Sequence, residues 1–118
     1  ENALASIDST GAGGSGPAEY ARAFARLENH YFSHGCFLTA DQQILNNMDK
    51  IAHIPGIIVQ GRFDMICPPV SAHTLAEFWP ASRLIIVPKA GHALSEPGIS
   101  EELVLSMDAI AIKKVIKN

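Results

Sequence analysis

Residues 51–61, which read Ile-Ala-His-Ile-Pro-Gly-Ile-Ile-Val-Gln-Gly, decide the fold of this chain of 118 residues. The centre of the stretch, 57–59, is apolar without alternation, which is typical of a parallel strand covered on both faces. A second run of this kind predicts a strand over 83–87. A helix is predicted between them, from about Val70 to Trp79, and another from about Ser100 to Ile116. Strand, helix, strand and helix in this order indicate an α/β fold.

The first fifty residues are predicted to be helical. Residues 18–30 are good helix formers, and a shorter helix is predicted from Thr39 or Ala40 to about Asn47, with Thr39 as its cap. Residues 9–17 hold four glycines among small polar residues and indicate a flexible connector. The apolar side of the last helix of the chain is predicted to consist of Leu103, Val104, Met107, Ile110 and Ala111.

Composition excludes several classes of function. Nine Lys and Arg against twelve Asp and Glu give a net charge of −3, so an electrostatic nucleic-acid binder is not indicated. No apolar run is long enough to span a membrane. Two cysteines, Cys36 and Cys67, are too few for a disulfide scaffold, and no secretory signal is present, so we expect a reducing, cytoplasmic setting.

Two ligand motifs are weak. The spacing Gly-x-Gly-x-x-Gly at 11–16 matches a dinucleotide-binding fingerprint in letters only, because no strand precedes it. His30 and His34 are four residues apart, but they stand at the predicted end of a helix and no second pair of ligands lies at a suitable spacing. We therefore predict no metal and no cofactor.

Two charged or titratable residues follow the two predicted strands. Asp64 lies three residues past Gly61, and His92 lies five residues past Val87. Because loops at the carboxyl ends of parallel strands meet at one edge of a sheet, Asp64 and His92 are expected to lie together. An aspartate that accepts a hydrogen bond from one imidazole nitrogen leaves the other nitrogen free to take a proton from a nucleophile. The order of acid before histidine is the order of an α/β-hydrolase triad. The alternative at this point is a solvated loop aspartate and an incidental histidine.

Four stretches carry a resemblance to a known family: Ala-Arg-Leu-Glu-Asn-His-Tyr-Phe at 25–32, Ile-Ala-His-Ile-Pro-Gly at 51–56, Gly-Arg-Phe-Asp-Met-Ile-Cys at 61–67, and Gly91-His92 followed by Glu96-Pro97-Gly98. From about Ala18 onward the chain resembles the C-terminal part of proline iminopeptidases, α/β-hydrolase serine peptidases that remove an N-terminal proline from peptides. The resemblance implies the C-terminal portion of an α/β-hydrolase fold. Part of the helical cap would lie in 1–50, and two parallel strands alternating with helices would lie in 51–118.

The resemblance also implies roles for five residues. Asp64 matches the acid of the family's triad, and His92 matches its general base. Glu28 matches one of two carboxylates that hold the protonated amino terminus of the substrate, and Glu1 resembles the other. Cys67 matches a cysteine that lines the proline pocket. The implied partners are peptides with an N-terminal proline, and no metal or organic cofactor is needed.

The sequence departs from the family pattern in the nucleophile. The family's Gly-x-Ser-x-Gly turn and its His-Gly-Gly oxyanion loop are absent, and Gly-Gly-Ser-Gly-Pro at 13–17 ends in proline and follows no strand. We therefore expect a chain that is inert alone and lacks an N-terminal half of the same enzyme, which would supply the serine. The first residue is not Met, which fits that expectation.

Two predicted strands do not make a complete sheet. We therefore expect the chain to associate through its strand edges, either with the missing half or with another copy. Two alternatives to the peptidase stay open: another α/β-hydrolase such as an esterase, and a truncated, non-catalytic module that binds a partner.

Overall fold

The computed structural model describes residues 18–116, with side chains as far as Ile112. Glu1 and the Gly-rich connector predicted at 9–17 lie outside the described residues. Three α-helices are present in the described part, α1 (Ala18–Ser33), α2 (Pro69–Phe78) and α3 (Pro97–Ile116). They are accompanied by two strands, β1 (Gly56–Gly61) and β2 (Ser82–Val87), and by short 3-10 helices at Gly35–Phe37 and Leu45–Lys50.

The two strands form a parallel pair in which Gly56 stands opposite Ser82 and Gly61 opposite Val87. The α2 helix connects them, as a parallel pair requires. Trp79, just after α2, donates a hydrogen bond from Nε1 to the Ile54 carbonyl (2.8 Å), and its ring lies where a side chain at residue 56 would be. The predicted α/β arrangement is confirmed for these elements, with bounds that differ from the prediction by one to three residues.

A small core lies at the carboxyl end of the strands. Val87, Ala90 and Ile99 are buried together, and Val59 and Leu103 pack against them. The core therefore joins both strands, the loop after β2 and the first turns of α3. It lies directly beneath the loops that follow β1 and β2.

The predicted apolar side of α3 is wrong for four of its five members, because Val104, Met107, Ile110 and Ala111 are exposed and only Leu103 packs against the core. Val104 and Met107 are 60% and 63% exposed, whereas Ile99 and Ser106 are buried. The packing of Ile99 on Val87 fixes the helical phase, so the buried positions follow at intervals of three to four residues from 99. Apolar residues at 104 and 107 lie on a different face.

The predicted helix from residue 39 or 40 to 47 is also wrong. Thr39 donates from its N–H (2.7 Å) and its hydroxyl (2.8 Å) to Oε1 of Gln43, whereas a helix cap would accept a main-chain N–H with its side-chain oxygen. Gln42, moreover, has a φ of 59°, a left-handed conformation that interrupts a right-handed helix. Only turns and the 3-10 helix Leu45–Lys50 result.

Candidate acid–base site

Main-chain hydrogen bonds tie together the two loops that follow the strands. The Arg62 N–H donates to the Val87 carbonyl and the Phe63 N–H to the Ala90 carbonyl, both at 2.9 Å. Gly61 makes this approach feasible, because a Cβ atom there would collide with the carbonyl groups of Ala90 and Gly91. The strand ladder thus continues into the loops and fixes their spacing.

Asp64 lies in this junction and is 7% exposed. Its Oδ1 accepts hydrogen bonds from the Ile66 N–H (2.9 Å) and the Cys67 N–H (2.8 Å). Its Oδ2 accepts one from Gln60 Nε2 at 3.2 Å. The carboxylate is therefore held in one orientation by groups from its own loop and from β1.

The hydrogen bonds decide the charge of Asp64. Burial by itself raises the pKa of this carboxyl group. Hydrogen bonds from the Cys67 N–H, the His92 ring and the Ile66 N–H outweigh burial, so the pKa of Asp64 lies below its ordinary value. Asp64 is consequently ionised at neutral pH and acts only as an acceptor.

His92 completes the pair. Its Nδ1 lies 3.0 Å from Asp64 Oδ2, and its side chain is 35% exposed. Because an ionised carboxylate cannot donate, the proton of this hydrogen bond belongs to Nδ1. Nε2 of the neutral ring then carries a lone pair, and no hydrogen bond within residues 18–116 occupies it. An imidazole oriented in this way has the geometry of a general base.

Asp64 and His92 are thus in contact, as predicted. No side-chain hydrogen bond or ion pair with Asp64 or His92 is observed for the other predicted site residues within the described part of the chain. The side chain of Cys67 is exposed, although its N–H binds Asp64. Glu28 is half-buried on α1, a helix whose contacts in the described part of the chain are chiefly with the turn Gly35–Phe37. Glu1 is outside the described residues.

Sequence reasoning did not assign two polar residues of this site. Gln60 donates from Nε2 to Asp64, to the Gly61 carbonyl (3.1 Å) and to the Cys67 carbonyl (3.1 Å). Glu96 is buried, and both of its carboxylate oxygens accept from the Gly91 N–H, at 2.9 and 3.0 Å. A signal existed for Gln60, which is the single polar side chain in an otherwise apolar strand.

No cluster of three or more His, Cys, Asp or Glu side chains suited to a metal ion is present among residues 18–116. His34 accordingly uses Nδ1 to bind the His30 carbonyl (2.7 Å), and its ring stacks on Phe37. None of the described helices is long and apolar enough to cross a bilayer.

Comparison with known proteins identifies relatives. A probable proline iminopeptidase of Leptolyngbya boryana is 49% identical over 96 residues, which are 81% of this chain and 30% of that protein. The proline iminopeptidase of Arabidopsis thaliana is 51% identical over 88 residues, 75% of this chain and 23% of that protein. This chain is related to the proline iminopeptidases. The resemblance predicted from its motifs is confirmed.

The relation to proline iminopeptidases covers one part of those proteins. A third relative, from Xanthomonas citri, is 46% identical over 94 residues, 80% of this chain and 30% of the relative. The chain spans less than a third of the length of these relatives and matches their C-terminal part. No protein-family model matches the chain.

Proposed function

We propose that this chain carries the acid–base pair of a serine peptidase of the proline iminopeptidase type, an α/β-hydrolase that removes N-terminal proline from peptides. The observation that supports the proposal is the 3.0 Å hydrogen bond between His92 Nδ1 and Asp64 Oδ2, at the ends of adjacent parallel strands. Residues 1–50 would be the remnant of a helical cap, and residues 51–118 the C-terminal part of the catalytic domain.

The proposed reaction uses His92 twice. Nε2 takes the proton of a serine hydroxyl as the serine oxygen attacks the prolyl carbonyl, and the resulting imidazolium is stabilised by Asp64. Nε2 then gives the proton to the leaving amine as the peptide C–N bond breaks. In the second half, Nε2 takes a proton from water, which attacks the acyl-enzyme, and returns it to the serine oxygen. The serine and the oxyanion donors would come from the remainder of the protein.

Substrate selection would rest on charge. An aminopeptidase must bind a protonated N-terminal amine, and we propose that Glu28 and Glu1 supply the carboxylates for it. Cys67 would line the proline pocket. The hydrogen bond from its N–H to Asp64 supports this role, because it places residue 67 next to the catalytic acid.

The remaining sheet would join at the strand edges. Within residues 18–116, β1 and β2 pair with each other and with no further strand. We propose that the missing N-terminal part of the enzyme pairs there, and that a second copy of the chain does so in its absence. Both cysteines are free, which supports a reducing, cytoplasmic setting.

A chimaera tests the proposed activity. The matching 96 residues of the Leptolyngbya boryana protein are replaced by their counterparts from this chain, and hydrolysis of prolyl anilide is measured. We expect activity that is abolished by His92→Ala and strongly reduced by Asp64→Asn. A folded chimaera whose activity survives His92→Ala would contradict the proposal. The chain of 118 residues alone should not turn over prolyl anilide.

Glu28→Gln separates the peptidase from an esterase. In the active chimaera, this change should raise KM for prolyl anilide and leave the hydrolysis of an amine-free ester unchanged, because only the first substrate carries a cation. Glu19→Gln, another carboxylate on α1, is the matched control. Equal effects of Glu28→Gln on both substrates would favour the esterase.

A further inference from the structure

Glu96 has a buried carboxylate whose two oxygens share one main-chain partner. It is 8% exposed, yet both of its oxygens accept from a single neutral group, the Gly91 N–H. No ion pair among the described residues neutralises it. Burying a carboxylate costs free energy, so an apolar side chain at position 96 would stabilise the packing of the helix better. Packing alone therefore does not explain a glutamate here.

The position of Glu96 explains what the carboxylate can do. Its main-chain carbonyl accepts from the N–H groups of Ile99 and Ser100, both at 3.0 Å, so the residue is fixed to the first turn of α3. Its own N–H donates to the Ala93 carbonyl at 3.0 Å. The carboxylate therefore connects the start of α3 to the residue immediately before His92.

A second tie acts on the same short segment from the opposite loop. The Ala90 carbonyl accepts from the Phe63 N–H, one residue before the Asp64 carboxylate. The chain is thus held at residue 90 by the Asp64 loop and at residue 91 by Glu96. Residue 92 follows directly, so its Cα position is set by these two bonds. The imidazole can then reach Asp64 without a search through loop conformations.

We propose that Glu96 is the positioning residue for His92: by holding the Gly91 N–H it keeps Nδ1 of His92 on Asp64 and so maintains the tautomer with a free Nε2. This inference rests on the proposed function for its catalytic meaning. The positioning itself is a property of the chain and is measured without catalysis.

The test uses the chain of 118 residues with 15N-labelled histidine, and nuclear magnetic resonance at a pH where the imidazoles are neutral. The ring nitrogen shifts of His92 give the ratio of the Nδ1–H to the Nε2–H tautomer. We expect Glu96→Ala to lower this ratio about tenfold, the equivalent of one lost hydrogen bond of ordinary strength. Glu96→Gln keeps one acceptor oxygen and should change the ratio much less.

Two controls accompany these variants. Glu102→Ala removes a carboxylate from α3, the helix that begins directly after Glu96, at a position that lines a groove beside Pro55 and Arg83, and it should leave the ratio unchanged. His53, which is exposed, reports any general change of conditions in the same spectra. Circular dichroism shows whether each variant is folded.

A folded Glu96→Ala variant with an unchanged His92 ratio overturns the proposal. If Glu96→Ala does not fold, Glu96→Asp decides, because its carboxylate keeps the charge but is one methylene too short for Gly91. A reduced ratio in folded Glu96→Asp supports positioning, and an unchanged ratio overturns it. An inactive chimaera together with a shifted ratio would refute the proposed function and leave the positioning role in place.

Discussion

Replacing Asp64 by Asn removes one charge from the centre of the site with almost no change of shape. The new carbonyl oxygen can stay on the N–H groups of Ile66 and Cys67, so the new amide nitrogen must face Gln60. Two donors then oppose each other. Gln60 cannot turn its amide around freely, because the same Nε2 also donates to the carbonyls of Gly61 and Cys67.

The size of the effect follows from these bonds. The bond from Gln60 to a charged acceptor is lost, at about 1.5–3 kcal/mol, and the two main-chain bonds weaken because their acceptor becomes neutral. His92 can adapt by changing its tautomer, and the lower cost of burying an uncharged amide offsets part of the loss. We expect the free energy of unfolding to fall by about 3 kcal/mol near neutral pH, a large share of the stability of a small domain.

Urea unfolding followed by Trp79 fluorescence measures the change, since Trp79 is the single tryptophan of the chain. Asp108→Asn, an exposed carboxylate on α3, is the control and should cost less than about 0.5 kcal/mol. Because the pKa of Asp64 is lowered on folding, its ionised form stabilises the chain above the unfolded pKa. That contribution is lost as pH falls through the folded pKa.

The difference between the wild-type chain and Asp64→Asn should therefore narrow as the solution is acidified from neutral pH. If Asp64→Asn lowers the free energy of unfolding no more than Asp108→Asn does, the hydrogen bonds assigned to Asp64 are refuted. A difference that stays constant down to strongly acidic pH would refute the role of ionised Asp64 in stability.

Three further changes test packing at separate points of the fold. Met48→Ala should lower the free energy of unfolding by about 2–5 kcal/mol, because Met48 is 3% exposed, whereas Met65→Ala, at a residue 70% exposed, should be nearly neutral in the same urea titration. Gly61→Ala should lower the free energy of unfolding by about 1–3 kcal/mol, since the new Cβ pushes the two loops apart. It should also speed hydrogen exchange of the Phe63 amide, and an unchanged exchange rate there would contradict this account. Trp79→Phe removes the hydrogen bond to the Ile54 carbonyl and should lower the free energy of unfolding by about 1 kcal/mol, measured by urea unfolding followed by circular dichroism. An unchanged urea midpoint would show that this bond does not stabilise the chain.

The sheet and the central pair could be predicted because they depend on local patterns. An unbroken apolar run identifies each buried strand, and parallel strands with a helix between them deliver their following loops to one edge. The spacing of Asp64 and His92 after their strands therefore predicts the pair that the structure shows. The motifs around them also carried the relation to proline iminopeptidases.

Other features depend on contacts that no local pattern records. The left-handed Gln42 interrupts a segment whose residues otherwise favour a helix. The phase of α3 is set by Ile99 against Val87, not by the apolar residues farther along the helix. Glu96 and Gln60 bind main-chain groups of other segments, and main-chain groups have no signature in the sequence.

The main-chain ties between the two loops bear on how this region can vary over evolutionary time. Arg62 and Phe63 cross to the other loop through their N–H groups, which every amino acid except proline possesses. The side chains of Phe63 and Met65 are themselves exposed, at 56% and 70%. Substitutions there can remodel the rim around Asp64 and His92 in shape and charge while the pair keeps its spacing. Related proteins could therefore differ in which ligands bind at this edge of the sheet while the geometry of the acid–base pair stays the same.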